Sequence, residues 1–191
     1  MTLFGLNGKK AFITGASRGI GQEIAVAFAE AGADLALVAR SEDGLAATAE
    51  KAAGYGREAH VIRADVTDQN AVEGAVAAAT ERLGHVDIVV NNAGGSNFAA
   101  AFLDLRVPGW DKLMRLNLTS AVYVCHAIGP HLAERGQGSV INVASVAGLA
   151  GHVGRRVAGQ EDRRAGHLGR APPPAHGHRG DRRLPRFLVL P

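Results

Sequence analysis

The chain has 191 residues, 47% of them apolar, which is enough for one domain with a substantial core. Its single cysteine, Cys125, excludes an internal disulfide and fits a reducing cytoplasm, and no apolar run approaches the roughly 18 residues of a membrane helix. The net charge of +3 hides a split: residues 1–150 carry 12 basic and 15 acidic side chains, whereas residues 151–191 carry nine arginines, no lysine and three acids.

The first 150 residues alternate short β-branched runs with longer Ala-rich stretches. The opening residues lead straight into a strand, and no secretory leader is expected. Lys10–Thr14 reads as the first strand, and Gly19–Ala31 as a helix with Ile20, Ile24 and Phe28 on one face and Gly32 as its stop. Asp34–Ala39 is the second strand, followed by a helix capped by Ser41 and running to Ala53. Ala59–Asp65 is the third strand, with a helix from Gln69 to about Leu83 capped by Asp68. Val86–Val90 is the fourth strand, a single helix follows from about Pro108 to Glu134, and Gly138–Ala144 is the fifth strand, ended by Ser145. Cys125 falls in the apolar run AVYVCHA and is expected to be a buried, inert thiol. Strands apolar on both faces, alternating with helices, predict an α/β fold: a doubly wound parallel sheet of Rossmann type. Its ligand crevice lies at the carboxyl ends of the strands.

After about Gly154 the alternation stops. The expected organisation is a Rossmann-type domain over residues 1–154 and an Arg/Pro/Gly-rich tail over residues 155–191, disordered by composition.

The residues after the first strand are Thr14-Gly15-Ala16-Ser17-Arg18-Gly19-Ile20-Gly21. Gly15 permits the sharp turn out of the strand, and Gly19 and Gly21 let backbone and cofactor approach closely. The helix that follows aims free N–H groups and its positive dipole end at phosphate. Thr14, Gly15, Ser17, Arg18, Gly19, Ile20 and Gly21 are therefore candidate cofactor contacts. The second strand ends Ala39-Arg40, where a carboxylate would accept from the 2′-hydroxyl of NAD. Arg40 and Arg18 suit a 2′-phosphate instead, so NADP is expected over NAD.

Together with TGASRGIG, the sequence carries Asp65-Val66, Asn91-Asn92-Ala93-Gly94, Asn117 and the INVAS run, in order and at matching spacing. In this combination the chain resembles the short-chain dehydrogenase/reductase family over about residues 5–154. The resemblance implies an NAD(P)-dependent oxidoreductase acting on alcohols and carbonyls. It places Asp65 and Val66 beside the adenine, has Asn92, Ala93 and Gly94 shape the cofactor cleft, and gives Asn91 a bracing role. It also gives Asn117 a water that relays protons, and Ser145 a hydrogen bond to the reacting oxygen. Asn117 and Ser145 are thus the candidate catalytic residues. Beyond these, the family uses a Tyr as general acid/base and a Lys four residues later that lowers its pKa from about 10. Here the tyrosines are Tyr55 and Tyr123, the last lysine is Lys112, and Ala158 and Asp162 stand where the pair would fall. His152 reads as a surface residue rather than a substitute.

The resemblance also implies homo-oligomers, but the helix carrying Tyr and Lys, which forms a common interface, has no counterpart here. The sheet is accordingly expected to be incomplete on its C-terminal side, with the fifth strand an exposed edge and the Pro108–Glu134 helix short of a partner. Arg, Gly, Ala and Pro in excess are what GC-rich DNA yields out of frame. A frameshift after about Gly154 is the expected cause, and the absence of a Y-x-x-x-K from both other frames of the gene downstream of that codon would overturn it. Two other functions compete: an NADP-binding module without catalysis, and an Arg-rich polyanion binder. Nucleic acid is disfavoured because Phe187 is the tail's one aromatic residue. Nothing in Gly95–Val107 identifies the substrate.

Overall fold

Five short β-branched runs form one parallel sheet in the computed structural model of the chain, which describes residues 5–96 and 102–146. The strands are β1 (Lys10–Thr14), β2 (Asp34–Ala39), β3 (Ala59–Arg63), β4 (Ile88–Asn91) and β5 (Ser139–Asn142). They lie in the order β3-β2-β1-β4-β5, so the chain winds outward from β1 to β3 and then returns to the other side of β1. The reversal sits between β1 and β4, where doubly wound sheets open their ligand crevice. Every adjacent pair is parallel, with Phe12 opposite Ala36 in β2 and Val89 in β4.

The helices are α1 (Gly19–Glu30), α2 (Glu42–Ala53), α3 (Gln69–Leu83), α4 (Val107–Met114) and α5 (Ser120–Arg135). Alternate strand residues serve opposite faces. Ala11, Ile13, Leu35 and Leu37 pack with Ala25 and Ala29 of α1 and Leu45 and Ala52 of α2. Phe12, Ala36, Val38 and Val89 pack with Val72 and Val76 of α3 and Val124 and Ile128 of α5. This double burial is why β1, β2 and β4 are apolar at most positions, whereas the edge strands β3 and β5 are partly exposed and carry more polar residues.

Several local expectations shift. The buried stripe of α1 is Gly21, Ala25 and Ala29, small residues that let the helix sit close to the sheet. Ile24 and Phe28 pack at its margin, while Ile20 is 65% exposed. β3 stops at Arg63 because the Asp65 carboxylate turns back to accept from Thr67 N–H and Oγ1 at 2.9 and 2.8 Å. β4 covers Ile88–Asn91, offset toward the crevice from the expected run, and β5 covers Ser139–Asn142, ending three residues before Ser145. The long helix is interrupted by a π turn over Arg115–Thr119, where Ser120 N–H reaches the Arg115 carbonyl. Asn117 Nδ2 donates to the Leu113 carbonyl at 3.0 Å, one helical turn back. Cys125 is half-buried rather than buried, with Sγ 3.5 Å from Asn91 Nδ2. β5 is the last strand in the order and Val140 is exposed, as are Trp110, Leu118 and Val122 along α4, the π turn and α5. The boundary near Gly154, His152, Ala158, Asp162 and the tail lie outside the described residues.

At the opposite end of the sheet from the crevice, two buried carboxylates anchor strand starts. Asp87 accepts from the Lys10 N–H at 3.0 Å and pairs with His85 and Arg135, each at 3.1 Å. Asp34 pairs with Lys10 Nζ at 2.7 Å and accepts from Glu58 N–H at 3.1 Å. Burial alone would raise both pKa values. For Asp34, the Lys10 and Glu58 hydrogen bonds and the Lys10 and Arg57 charges outweigh it. For Asp87, the Lys10 N–H, the His85 and Lys9 charges and the Arg135 hydrogen bond do so. Both carboxyls are held below the ordinary range. Their stabilisation is therefore complete above the unfolded carboxylate value of about 3.9 and is lost as pH falls through the lowered folded values. Urea midpoints measured from pH 7 to 2 should drop below about pH 4, and Asp87→Asn, less stable at neutrality, should show a shallower fall.

Candidate functional site

The loops leaving β1 and β4 meet above the point where the sheet reverses, and one hydroxyl joins them. Thr14 closes β1 and is 2% exposed. Its Oγ1 accepts from the N–H groups of Asn92 and Ala93, each at 3.0 Å, and donates to the Val90 carbonyl at 3.3 Å. Asn92 Nδ2 answers by donating to the carbonyls of Thr14 at 3.0 Å and Gly15 at 3.4 Å. The hydroxyl thus uses its hydrogen and both lone pairs, and two motifs far apart in sequence become one unit.

The three glycines of the turn differ in what they face. Gly15 has φ +67, and a Cβ there would stand 2.8 Å from Asn92 Nδ2 and 3.0 Å from Ala93 Cα. Gly21 is buried, and its Cβ would collide with the Gly15 carbonyl oxygen, so its close approach is to protein backbone. Gly19 has φ +59 with nothing within 4 Å of a Cβ position, leaving its side of the turn open. Next to it, Arg18 is the N-cap residue of α1; its side chain makes no capping bond, and no acid occupies the first turn. The helices α2 and α3 are by contrast capped by Ser41 and Asp68. The leading N–H groups of α1 keep their donor capacity and the positive end of the helix dipole beside that open space. Ile20 projects from the same turn.

Arg40 follows β2 and is exposed, as is Arg18. Arg40, Arg63, Ala64, Asp65 and Ala71 line a cleft of about 430 Å³ at the ends of β2 and β3. Burial pushes the Asp65 carboxyl up, but the two hydrogen bonds from Thr67 and the Arg40 charge overcome this and lower it. Asp65 is thus an anion that partly balances Arg40. Val66 beside it is buried.

Beyond β4, Asn117 reaches from the π turn to the adjoining loop. Its Oδ1 accepts from Gly95 N–H at 2.8 Å, and its Nδ2 donates to the Gly95 carbonyl at 2.9 Å. With the bond to Leu113, both amide hydrogens are used, and the hydrogen-bonding capacity left is on Oδ1. A Cβ on Gly94 would stand 2.8 Å from that oxygen, which explains a glycine there. Asn91, buried, donates to Asn142 Oδ1 at 2.9 Å and so braces β4 against β5. Ser145 is exposed, just past β5.

Two groups at the site escaped sequence reasoning. Asn142 is the cross-strand partner of Asn91. Thr48 hydrogen-bonds the glycine turn from α2. The signal for Thr48 was available: its spacing from Leu45 and Ala52 places a hydroxyl on the buried face of the helix, where it needs a partner.

A doubly wound parallel sheet with a glycine turn at its reversal defines the Rossmann-type nucleotide-binding class. Within that class, the short chain dehydrogenase family profile matches residues 9–157, and the chain belongs to this family. It is 39% identical over 145 residues to 3beta-hydroxysteroid dehydrogenase 2 of Eggerthella lenta, covering 75% of this chain and 56% of that protein. A short-chain type dehydrogenase/reductase from Mycobacterium marinum superposes with a TM-score of 0.77 at 38% identity, covering 83% of this chain and 65% of that one. Carveol dehydrogenase from Mycobacterium avium, solved in complex with NAD, superposes at 0.74 with 31% identity, covering 77% and 58%. The chain spans a little over half the length of the curated relatives it matches.

Proposed function

We propose that the chain holds NADP above β1 and β4, as the nucleotide-binding part of an oxidoreductase that acts on an alcohol or carbonyl. One observation carries the reading: the start of α1, without a side-chain cap, lies beside the open side of the glycine turn, with Arg18 as its N-cap residue. The open position at Gly19 and the free N–H groups suit a pyrophosphate, donated to by the turn Thr14–Gly21. Arg18 and Arg40 suit a 2′-phosphate. Asp65 and Val66 suit the adenine edge and face. Asn92, Ala93 and Gly94 form the wall of the crevice toward the nicotinamide end.

NADP supplies or accepts the hydride when bound. On the protein side, Ser145 donates a hydrogen bond to the substrate oxygen, and Asn117 fixes the loop after β4 and offers Oδ1 to a water. Proton transfer to that oxygen needs a further acid, and the sequence places Ala158 and Asp162 where the family pair would stand. We therefore expect this chain to bind nucleotide without turnover.

The test is calorimetric titration of the full chain with NADPH and NADH. NADPH should bind at least about 10-fold more tightly, and Arg40→Ala should remove most of that preference, since charge-assisted hydrogen bonds carry about this much. No binding of either nucleotide would overturn the reading; equal binding would overturn the NADP assignment. Steady NADPH oxidation with a panel of ketones would show that the proton donor lies elsewhere.

A further inference from the structure

The glycine turn is held from a side that its own motif does not explain. Ala16 lies between Gly15 and Ser17 and is fully buried. Its N–H donates to the Val38 carbonyl at 3.3 Å, and its carbonyl accepts from Thr48 Oγ1 at 2.8 Å. Thr48 is itself completely buried in α2. Its hydroxyl also lies 3.0 Å from the Gly44 carbonyl, one helical turn back, so its hydrogen is shared between a local and a distant acceptor. Gln22 Nε2 of α1 donates to the same hydroxyl at 2.8 Å, and Lys51 Nζ donates to Gln22 Oε1 at 2.8 Å. The donors run in one direction, from Lys51 through Gln22 and Thr48 to the Ala16 carbonyl, and aligned bonds polarise one another. The start of α2 touches the turn again at Gly44, where a Cβ would stand 2.8 Å from the Ser17 carbonyl oxygen.

These contacts join the two loops that carry the cations. Arg18 follows Ala16 and Ser17, and Arg40 and Ser41 lead into α2. A pyrophosphate needs only the glycine turn and the first N–H groups of α1. A 2′-phosphate needs both loops at their correct separation. We propose that Thr48 is a positioning residue for cofactor choice, setting the Arg18 loop against the Arg40 loop so that a dinucleotide bearing a 2′-phosphate is preferred. The inference rests on the dinucleotide reading above.

Thr48→Val keeps the shape and removes the hydroxyl, while Thr48→Ser keeps the hydroxyl. The full wild-type chain and both variants are titrated with NADPH and with NADH, with circular dichroism to establish folding. Thr48→Val should raise the NADPH Kd about 10-fold and the NADH Kd less than about 3-fold, with Thr48→Ser close to wild type for both. Equal losses for the two nucleotides, or none, would overturn the role of Thr48. If Thr48→Val does not fold, Gly44→Ala, which presses on Ser17 from the same helix, carries the test: selective loss of NADPH supports the proposal, and equal or no loss overturns it. Wild-type chain that binds neither nucleotide overturns the proposed function itself. Wild-type chain that prefers NADPH, with that preference unchanged in the variants, overturns only this inference.

Discussion

Gly21→Ala should lower stability by about 3 kcal/mol, the upper range for forcing an extra carbon into a packed interior. The added Cβ meets the Gly15 carbonyl oxygen and the Asn92 side chain, neither of which can swing away. The Gly15 carbonyl belongs to a turn fixed by a φ of +67, and Asn92 is bonded to that same carbonyl and to Thr14. Relief must come from α1 lifting off β1, which carries the first N–H groups of the helix away from the crevice. The melting temperature should therefore fall by about 6–12 °C, and NADPH affinity should fall with it. Gly19→Ala makes the internal comparison. Its Cβ meets no protein atom, so its cost is that of a non-glycine residue at φ +59, about 1–2 kcal/mol. Equal melting temperatures for the two variants would show that Gly21 is not tightly packed.

Thr14→Val should cost about 2–4 kcal/mol, because the N–H groups of Asn92 and Ala93 both lose their acceptor. Valine fills the same space, so the loss reports the hydroxyl rather than a cavity. Thr14→Ser should recover most of it. Chemical denaturation of the three proteins measures this directly. If valine were as stable as threonine, the two loops would be joined chiefly by other groups, such as the Asn92 Nδ2 hydrogen bonds to the Thr14 and Gly15 carbonyls.

The strands and most helix ends were legible because burial on both sheet faces writes a local, repeated pattern. Ser41 and Asp68 were readable as caps for the same reason: each acts within three residues of itself. The glycine turn and the NNAG segment were readable as motifs, but not the bond network between them, since the Thr14 hydroxyl bridges 78 residues. The π turn at Arg115–Thr119 is not legible in the sequence because it is a slip of backbone hydrogen bonding inside an otherwise continuous helical pattern. Ile20 faces outward for a steric reason. Helical spacing groups it with Ile24 and Phe28, but α1 approaches the sheet through its smallest residues, which turns Ile20 toward solvent.

The winding of the sheet also bears on the order in which the protein is made. β1 is a central strand, paired on one side with β2, which leaves the ribosome soon after it, and on the other with β4, which leaves much later. A nascent chain that has reached β3 already owns the whole glycine turn and both arginines. It still lacks Asn92 and Ala93, whose N–H groups set Thr14. During synthesis, then, the glycine turn exists as sequence well before it exists as shape, and its maturation waits on the emergence of a segment far from it in the linear chain.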